Sequence, residues 1–168
     1  MRKIKSAFIL IFVLAFNLAF SQSEAHQEKG DKYFTNGKYK EAIIEYSKSI
    51  EYNQKNINAY LQRAMCYNIT EEYQKAIDDY NEVLSYEPNL LTAKNSRGSS
   101  YMKIKEYAKA KSDFDDVIEG DPKNSEAYNN RGWCKKRSGD KEGACMDWKK
   151  SKKLGNSEAK IILKNNGC

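Results

Sequence analysis

The chain has 168 residues, of which 40% are hydrophobic and 31% charged, and its formal net charge is +6. It contains one histidine, four cysteines and two prolines. A single histidine excludes most catalytic arrangements that are built on imidazole, and a chain of this length can bury a core as one domain.

The N-terminal segment, residues 1–21, differs in character from the rest. Three basic residues precede an apolar run over residues 7–16, and Ala19 and Ser21 are small at the two positions that a signal peptidase inspects. This pattern predicts a secretory signal peptide over residues 1–21. An uncleaved anchor is the alternative, but a span needs about 20 apolar residues, and Asn17 interrupts a shorter run. We expect no stable membrane anchor after cleavage.

The mature chain, residues 22–168, repeats itself with a sequence period of 34. Five columns of similar residues keep this spacing: Ala42, Ala76, Ala110 and Ala144; Tyr46, Tyr80, Phe114 and Trp148; Gly30, Ala64, Gly98 and Gly132; Tyr33, Tyr67 and Tyr101; Tyr39, Tyr73 and Tyr107. A fixed period of this length predicts a stacked array that works by presenting a surface.

The second copy indicates what each repeat is. Tyr60, Ala64 and Tyr67 form one helical stripe, and Tyr73 begins a second stripe after a link over residues 69–72 that is too short for anything but a tight turn. Two antiparallel helices are therefore predicted for each copy.

The residues in register resemble the tetratricopeptide repeat. The second copy carries the pattern of that family most completely, with Tyr60, Ala64, Tyr67, Ala76, Tyr80 and Pro88. The resemblance covers about residues 23–156. It implies an all-α, right-handed α-solenoid of four helical hairpins, at about residues 23–56, 57–90, 91–124 and 125–156.

A short helix is predicted after the last repeat, at about residues 157–166. Asn156 and Ser157 can cap it, and Ala159, Ile162 and Leu163 give it one apolar edge. Because a solenoid ends with an exposed apolar face, we interpret this segment as a capping helix.

Four cysteines in an exported chain raise the question of disulfides. Cys66 and Cys134 lie two repeats apart and cannot approach within the distance that a disulfide needs, about 7 Å between Cα atoms. Cys145 faces the capping helix, which ends at Cys168, so this pair is the predicted disulfide. Four free thiols remain the alternative.

The sequence predicts no enzyme, no cofactor and no metal. It has no GxSxG, phosphate-loop or dinucleotide-binding motif, and its cysteines lack the close pairs of a zinc site. His26 lies near the mature N-terminus, where fraying is expected. Five aspartates recur at one point of consecutive copies and are interpreted as a solvated outer face of the second helix: Asp78, Asp79, Asp113, Asp115 and Asp116.

The resemblance implies that the first helix of each repeat lines a concave groove. The helical wheel leaves a mixed apolar and amide face that packs neither within its hairpin nor between repeats, and we predict that this face binds a protein or an extended peptide. Its residues are Phe34, Asn58, Leu61, Met65, Asn68, Asn95, Met102, Asn129, Trp133, Lys136 and Arg137. The alternative is that curvature of the array partly buries these side chains against their neighbours. Some family members grip a terminal carboxylate with Lys and Asn. Here the matching places hold Gln27, Asp31, Leu61 and Met65, so such a clamp is not expected.

The function predicted is that of an exported scaffold or adaptor in the periplasm of a Gram-negative bacterium, or secreted from it. The alternative is a structural or assembly subunit that self-associates through its repeat edges, and the oligomeric state stays open.

Charge is unevenly distributed along the mature chain. Residues 22–90 carry 8 basic and 12 acidic residues, a net charge of −4, whereas residues 91–168 carry 18 basic and 11 acidic residues, a net charge of +7. No nucleic acid is expected as partner.

Overall fold

A computed structural model describes the backbone of residues 2–168 and the side chains of residues 17–168. The described part of the chain consists of helices joined by short turns. In chain order they are α1 (Arg2–Thr35), α2 (Tyr39–Tyr52), α3 (Ile57–Ile69), α4 (Tyr73–Tyr86), α5 (Leu91–Lys103), α6 (Tyr107–Gly120), α7 (Ser125–Arg137), α8 (Lys141–Lys153) and α9 (Glu158–Asn165). Within the described residues, no helix is both long enough and apolar enough to span a bilayer. The predicted signal peptide, residues 1–21, falls largely on residues whose side chains lie outside the described part.

The helices keep the period of the sequence. The starts of α3, α5 and α7 follow one another at a spacing of 34, and so do the starts of α2, α4, α6 and α8. Local capping fixes several of these starts, because a side-chain oxygen accepts the backbone N–H three residues on. Asn56 caps α3 at 3.1 Å, Asn124 caps α7 at 2.9 Å and Asp140 caps α8 at 2.8 Å.

One position of the turn within each repeat has left-handed backbone. Gly37, Glu71, Lys105 and Gly139 share this position in the four copies, with φ of 72°, 63°, 66° and 92°. Glycine adopts this conformation without steric cost, whereas Glu71 and Lys105 carry a β-carbon that disfavours it.

The chain divides into two compact units, Met1–Glu72 and Tyr73–Cys168. In the first unit, α2 packs against both α1 and α3. Its core consists of Ala42, Tyr46, Ile50, Ala59 and Cys66. Gly30 of α1 lies so close to the Tyr46 ring that an added β-carbon would be 2.6 Å from it.

A buried carboxylate also joins α1 to α2 in the first unit. Glu45 is 4% exposed and accepts hydrogen bonds from His26 at 2.7 Å, Lys48 at 3.0 Å and Lys29 at 3.1 Å. Burial alone would raise the pKa of Glu45, but these three partners outweigh it and lower the pKa to about 2. His26 also stacks on Tyr52, with ring centroids 5.6 Å apart. In the full-length chain α1 continues through His26, and these contacts hold its ring against α2.

In the second unit, each helix from α4 to α9 packs against the next. One core cluster, formed where α7 follows α6, consists of Ala110, Phe114, Val117, Ala127 and Cys134. Gly98 faces Phe114 and Gly132 faces Trp148, so the small residue of the first helix again meets the large aromatic residue of the second. This pairing lets the two backbones of a hairpin approach closely.

Candidate functional site

The second unit contains a cleft that opens where the C-terminal part of α5 and the start of α6 meet α7. It has a volume of about 520 Å³. We call it the α5–α7 cleft; it is lined by Ser99, Met102, Lys103, Tyr107, Glu126, Asn130, Trp133 and Arg137. The period of 34 places Ser99 and Trp133, and likewise Lys103 and Arg137, at equivalent points of consecutive repeats.

Trp133 forms the largest apolar wall of the cleft and is held from behind. Its ring meets the ring of Trp148 edge-on, with centroids 5.2 Å apart and planes at 65°. Trp148 is 1% exposed, and its Nε1 donates a hydrogen bond to the backbone oxygen of Asn129 at 3.2 Å. The half-buried Trp133 ring is therefore anchored on the core and still lines the cleft.

The basic and acidic residues of the cleft lie at opposite ends of it. Lys103 and Arg137 end their helices, and both are exposed. Among the described residues, neither has an ion-pair partner. Glu126 lies in the first turn of α7, at the other end of the cleft. The cleft thus has a basic end and an acidic end with Met102 and Trp133 in its lining.

The structure brings three of the predicted groove residues together in this cleft, namely Met102, Trp133 and Arg137. Lys136 instead contacts the C-terminal segment, where its ammonium group donates a hydrogen bond to Oδ1 of Asn166, and it also lies 5.2 Å from the centre of the Trp133 ring. Asn95 and Asn129 are not in the cleft lining, and the carboxamide oxygen of each is buried without a hydrogen-bond partner among the described side chains.

The predicted groove residues of the first unit are placed differently. Phe34 packs against the core of that unit and meets Tyr39 edge-on at 5.6 Å, so packing accounts for it. Asn58 and Met65 are exposed, and Met65 is 38% accessible. Leu61 and Asn68 are half-buried.

Two residues that occupy the places of a carboxylate clamp are already engaged within the first unit. Gln27 accepts a hydrogen bond from Asn56 at 2.8 Å, and Asp31 accepts one from the Tyr46 hydroxyl at 2.7 Å. An acidic Asp31 would also repel a ligand carboxylate.

The prediction that the aspartate column is a solvated face is wrong for its inner members, whereas Asp78 is exposed as predicted. Asp79 and Asp113, and Asp147 of the next copy, are 5%, 4% and 4% exposed. Spacing alone does not assign a side chain at the border between the inner and outer faces of a helix, and Asp113 and Asp147 are covered by a long cation from another helix.

Arginines of the first helices hold two of these aspartates in the second unit. Arg97 binds Asp113 through two nitrogens, at 2.9 and 2.6 Å, and Arg131 binds Asp147 in the same way, at 2.8 and 2.7 Å. The third nitrogen of Arg131 reaches Asp115 of the preceding repeat at 2.8 Å. The pKa of Arg131 is raised by its hydrogen bonds to Asp147 and Asp115 despite its burial. The signal that reveals this pattern is the shared period of 34 between Arg97 and Arg131 and between Asp113 and Asp147.

Two lysines that replace tyrosines of the repeat pattern also bind aspartates. Lys94 stands where the second and fourth copies carry Tyr, and it forms an ion pair with Asp116. Lys135 replaces another tyrosine of the pattern and binds Asp147 at 2.9 Å. These two substitutions exchange aromatic packing for ion pairs within the second unit.

The cysteines fall into two kinds. The structure joins Cys145 of α8 to Cys168 by a disulfide with Cα atoms 5.6 Å apart, which is an ordinary separation for such a bond. Cys66 and Cys134 are buried free thiols. Burial raises the pKa of each to about 12, so neither is a reactive thiolate at neutral pH.

Comparison with known families agrees with this architecture. Models of the tetratricopeptide repeat match residues 57–90, 91–124 and 114–146, and a model of the TPR repeat matches residues 30–68. These matches together run from residue 30 to residue 146. The chain belongs to the tetratricopeptide-repeat family and has the all-α fold of tetratricopeptide-repeat solenoids.

Solved structures and one curated protein show how far the likeness extends. YrrB, described as a TPR protein with an unusual peptide-binding site, superposes with a TM-score of 0.81 at 20% identity, over 86% of this chain and 75% of that one. The first TPR domain of Spaghetti (RPAP3), bound to the HSP90 peptide SRMEEVD, gives a TM-score of 0.67 at 28% identity, over 71% of this chain and 95% of that one. Hsp70-Hsp90 organizing protein 3 of Arabidopsis thaliana is 42% identical over 45 residues, which are 27% of this chain and only 8% of that protein.

Proposed function

We propose that this chain is an exported, non-catalytic adaptor that binds an extended segment of a partner protein in the α5–α7 cleft. The observation that carries the proposal is the Trp133 ring, which is fixed against the buried Trp148 and still forms a wall of an open cleft of about 520 Å³. A similar repeat domain, that of Spaghetti, binds the peptide SRMEEVD. The membership of a family built to present surfaces supports the same role.

Export rests on the N-terminal pattern, and it places the partner in the periplasm or outside a Gram-negative cell. The mature protein then begins at Gln22. Intact mass of protein recovered from the envelope or the medium tests this step, and retention of residues 1–21 would contradict it.

Capture of the partner tests the binding surface. The mature chain is immobilised, incubated with the envelope fraction, and the retained protein is identified by mass. Trp133→Ala and Met102→Glu are expected to reduce capture by about tenfold each, as for central contacts of an interface. Met146→Glu is the matched control, because Met146 is 65% exposed on α8 and does not line the cleft. A mature chain that retains only further copies of itself would favour the self-associating subunit instead.

A further inference from the structure

We infer that the segment bound in the α5–α7 cleft has carboxylate side chains directly beside a large apolar side chain. This inference rests on the proposed function and specifies the chemistry of its partner. It follows from the charges and the apolar surface of this one cleft.

The basic end of the cleft consists of two cations that form no ion pair within the described part of the protein. Arg97 and Arg131, on the same two helices, are each bound by an aspartate through two hydrogen bonds. Lys103 and Arg137, by contrast, have no ion-pair partner among the described residues although both line the cleft. Two cations from consecutive repeats at one rim match a segment with two or more carboxylates.

The helix dipole gives a partial reason for cations in the last turns of α5 and α7. It gives no reason for apolar surface beside them. Arg137 lies one helical turn after Trp133 on the same face of α7, and Lys103 lines the same cleft as Met102 and Trp133, so both cations belong to the cleft that holds the apolar wall. A ligand that neutralises them therefore brings the neighbouring part of its chain onto the Trp133 ring.

Glu126 makes one end of the cleft acidic, opposite the basic end at Lys103 and Arg137. It lies three helical turns before Arg137 on α7, or about 16 Å at a rise of about 1.5 Å per residue. That distance corresponds to about five residues of extended chain, at about 3.3 Å each. A carboxylate near Glu126 would be repelled, so the acidic residues of the ligand belong at the Lys103 and Arg137 end only.

Capped synthetic peptides test the inference without a terminal carboxylate. The probe is acetyl-Ser-Phe-Leu-Asp-Glu-Asp-amide, and its matched neutral and basic forms carry Asn-Gln-Asn and Lys-Lys-Lys in place of the last three residues. Binding is followed by the fluorescence of the protein, which contains two tryptophans, one of them buried. Trp133→Phe keeps the apolar wall and identifies Trp133 as the reporter.

The acidic peptide is expected to bind about fivefold or more tightly than the neutral one, as two exposed ion pairs provide, and the basic peptide more weakly still. Lys103→Gln combined with Arg137→Gln should reduce the affinity for the acidic peptide to that for the neutral peptide. Lys149→Gln with Lys153→Gln removes the same charge from exposed positions of α8 outside the cleft and should leave the preference intact.

Equal binding of the acidic and neutral peptides would overturn the inference, and so would an acidic preference that survives the Lys103 and Arg137 changes. If no peptide binds while capture of a protein partner still depends on Trp133, the inference that the ligand is acidic is wrong, but the proposed function is still supported. If capture is indifferent to Trp133, the binding surface itself is wrong.

Discussion

Gly132 and Trp148 are packed so closely that a β-carbon added to Gly132 would lie 2.5 Å from Nε1 of the Trp148 ring. The ring cannot retreat without breaking its hydrogen bond to the backbone oxygen of Asn129. The smallest residue of the first helix and the largest residue of the second thus set how closely α7 and α8 approach. The same relationship holds between Gly98 and Phe114, where the corresponding distance is 3.0 Å.

Replacing Gly132 with alanine should therefore destabilise the protein by about 1–3 kcal/mol, as overpacking does. A loss of stability would be informative, because replacing glycine with alanine in a helix interior otherwise stabilises a protein by about 1 kcal/mol. Urea unfolding measures the change. Gly120→Ala is the comparison, since its β-carbon would lie 2.8 Å from Cδ1 of Leu91, at the end of a flexible side chain that can shift, and not against a hydrogen-bonded ring. A Gly132→Ala protein as stable as the wild type would show that this contact is not tight.

The left-handed turn position offers a stabilising change. Lys105 has φ of 66°, a conformation that costs a residue with a β-carbon about 1–2 kcal/mol. Lys105→Gly should raise the free energy of unfolding by about 0.5–1 kcal/mol, after the entropy of the unfolded glycine is subtracted. Gly139→Ala, at φ of 92°, should lower it. Thermal unfolding of both variants checks the opposite signs, and a loss of stability in Lys105→Gly would contradict the explanation.

The Glu45 cluster makes the first unit sensitive to acid. The pKa of Glu45 is lowered from 4.5 to about 2, so its contribution to stability is complete above pH 4.5 and is lost as the pH falls towards 2. Glu45→Gln should be less stable than the wild type at pH 7, and its stability should fall less between pH 4.5 and pH 2. Glu51→Gln, at an exposed position of the same helix, is the control. Parallel acid curves for Glu45→Gln and the wild type would refute this role.

The disulfide should stabilise the C-terminal end of the second unit. It closes a loop with a sequence separation of 23, which on the chain-entropy model corresponds to about 3 kcal/mol. Cys168→Ser should lose about this amount, and its urea unfolding curve should no longer respond to dithiothreitol. Dithiothreitol should lower the free energy of unfolding of the wild type by the same amount, because it reduces the disulfide. An oxidised wild type that is no more stable than its reduced form would contradict the prediction.

The repeated hairpins can be predicted from the sequence because the residues that pack their helices together recur in register. Columns such as Ala110 and Phe114 keep the period of 34, and both residues are fully buried in the structure. Long polar side chains are harder to predict, because they reach between helices in ways that a helical wheel does not encode. Arg131 binding Asp147, and Lys136 turning to Asn166, are the clearest cases.

The candidate site can be predicted only in part for the same reason. Met102, Trp133 and Arg137 follow from their position on the first helices, and all three line the cleft. Tyr107 belongs to a packing column of the sequence, yet as the first residue of α6 it also reaches the cleft. Asn129 has the right position on its helix but is only 7% exposed, and its backbone oxygen accepts a hydrogen bond from Trp148 of α8.

Site-specific photo-crosslinking tests the central claim most directly. Met102 in the cleft and Met146 on α8 are each replaced by p-benzoylphenylalanine, and the mature proteins are irradiated with the envelope fraction. We predict a covalent adduct with one partner protein from position 102 and none from position 146, and an excess of the acidic peptide should reduce the adduct if the inferred ligand chemistry is right. Adducts from position 146 alone would contradict the claim that the α5–α7 cleft is the binding surface.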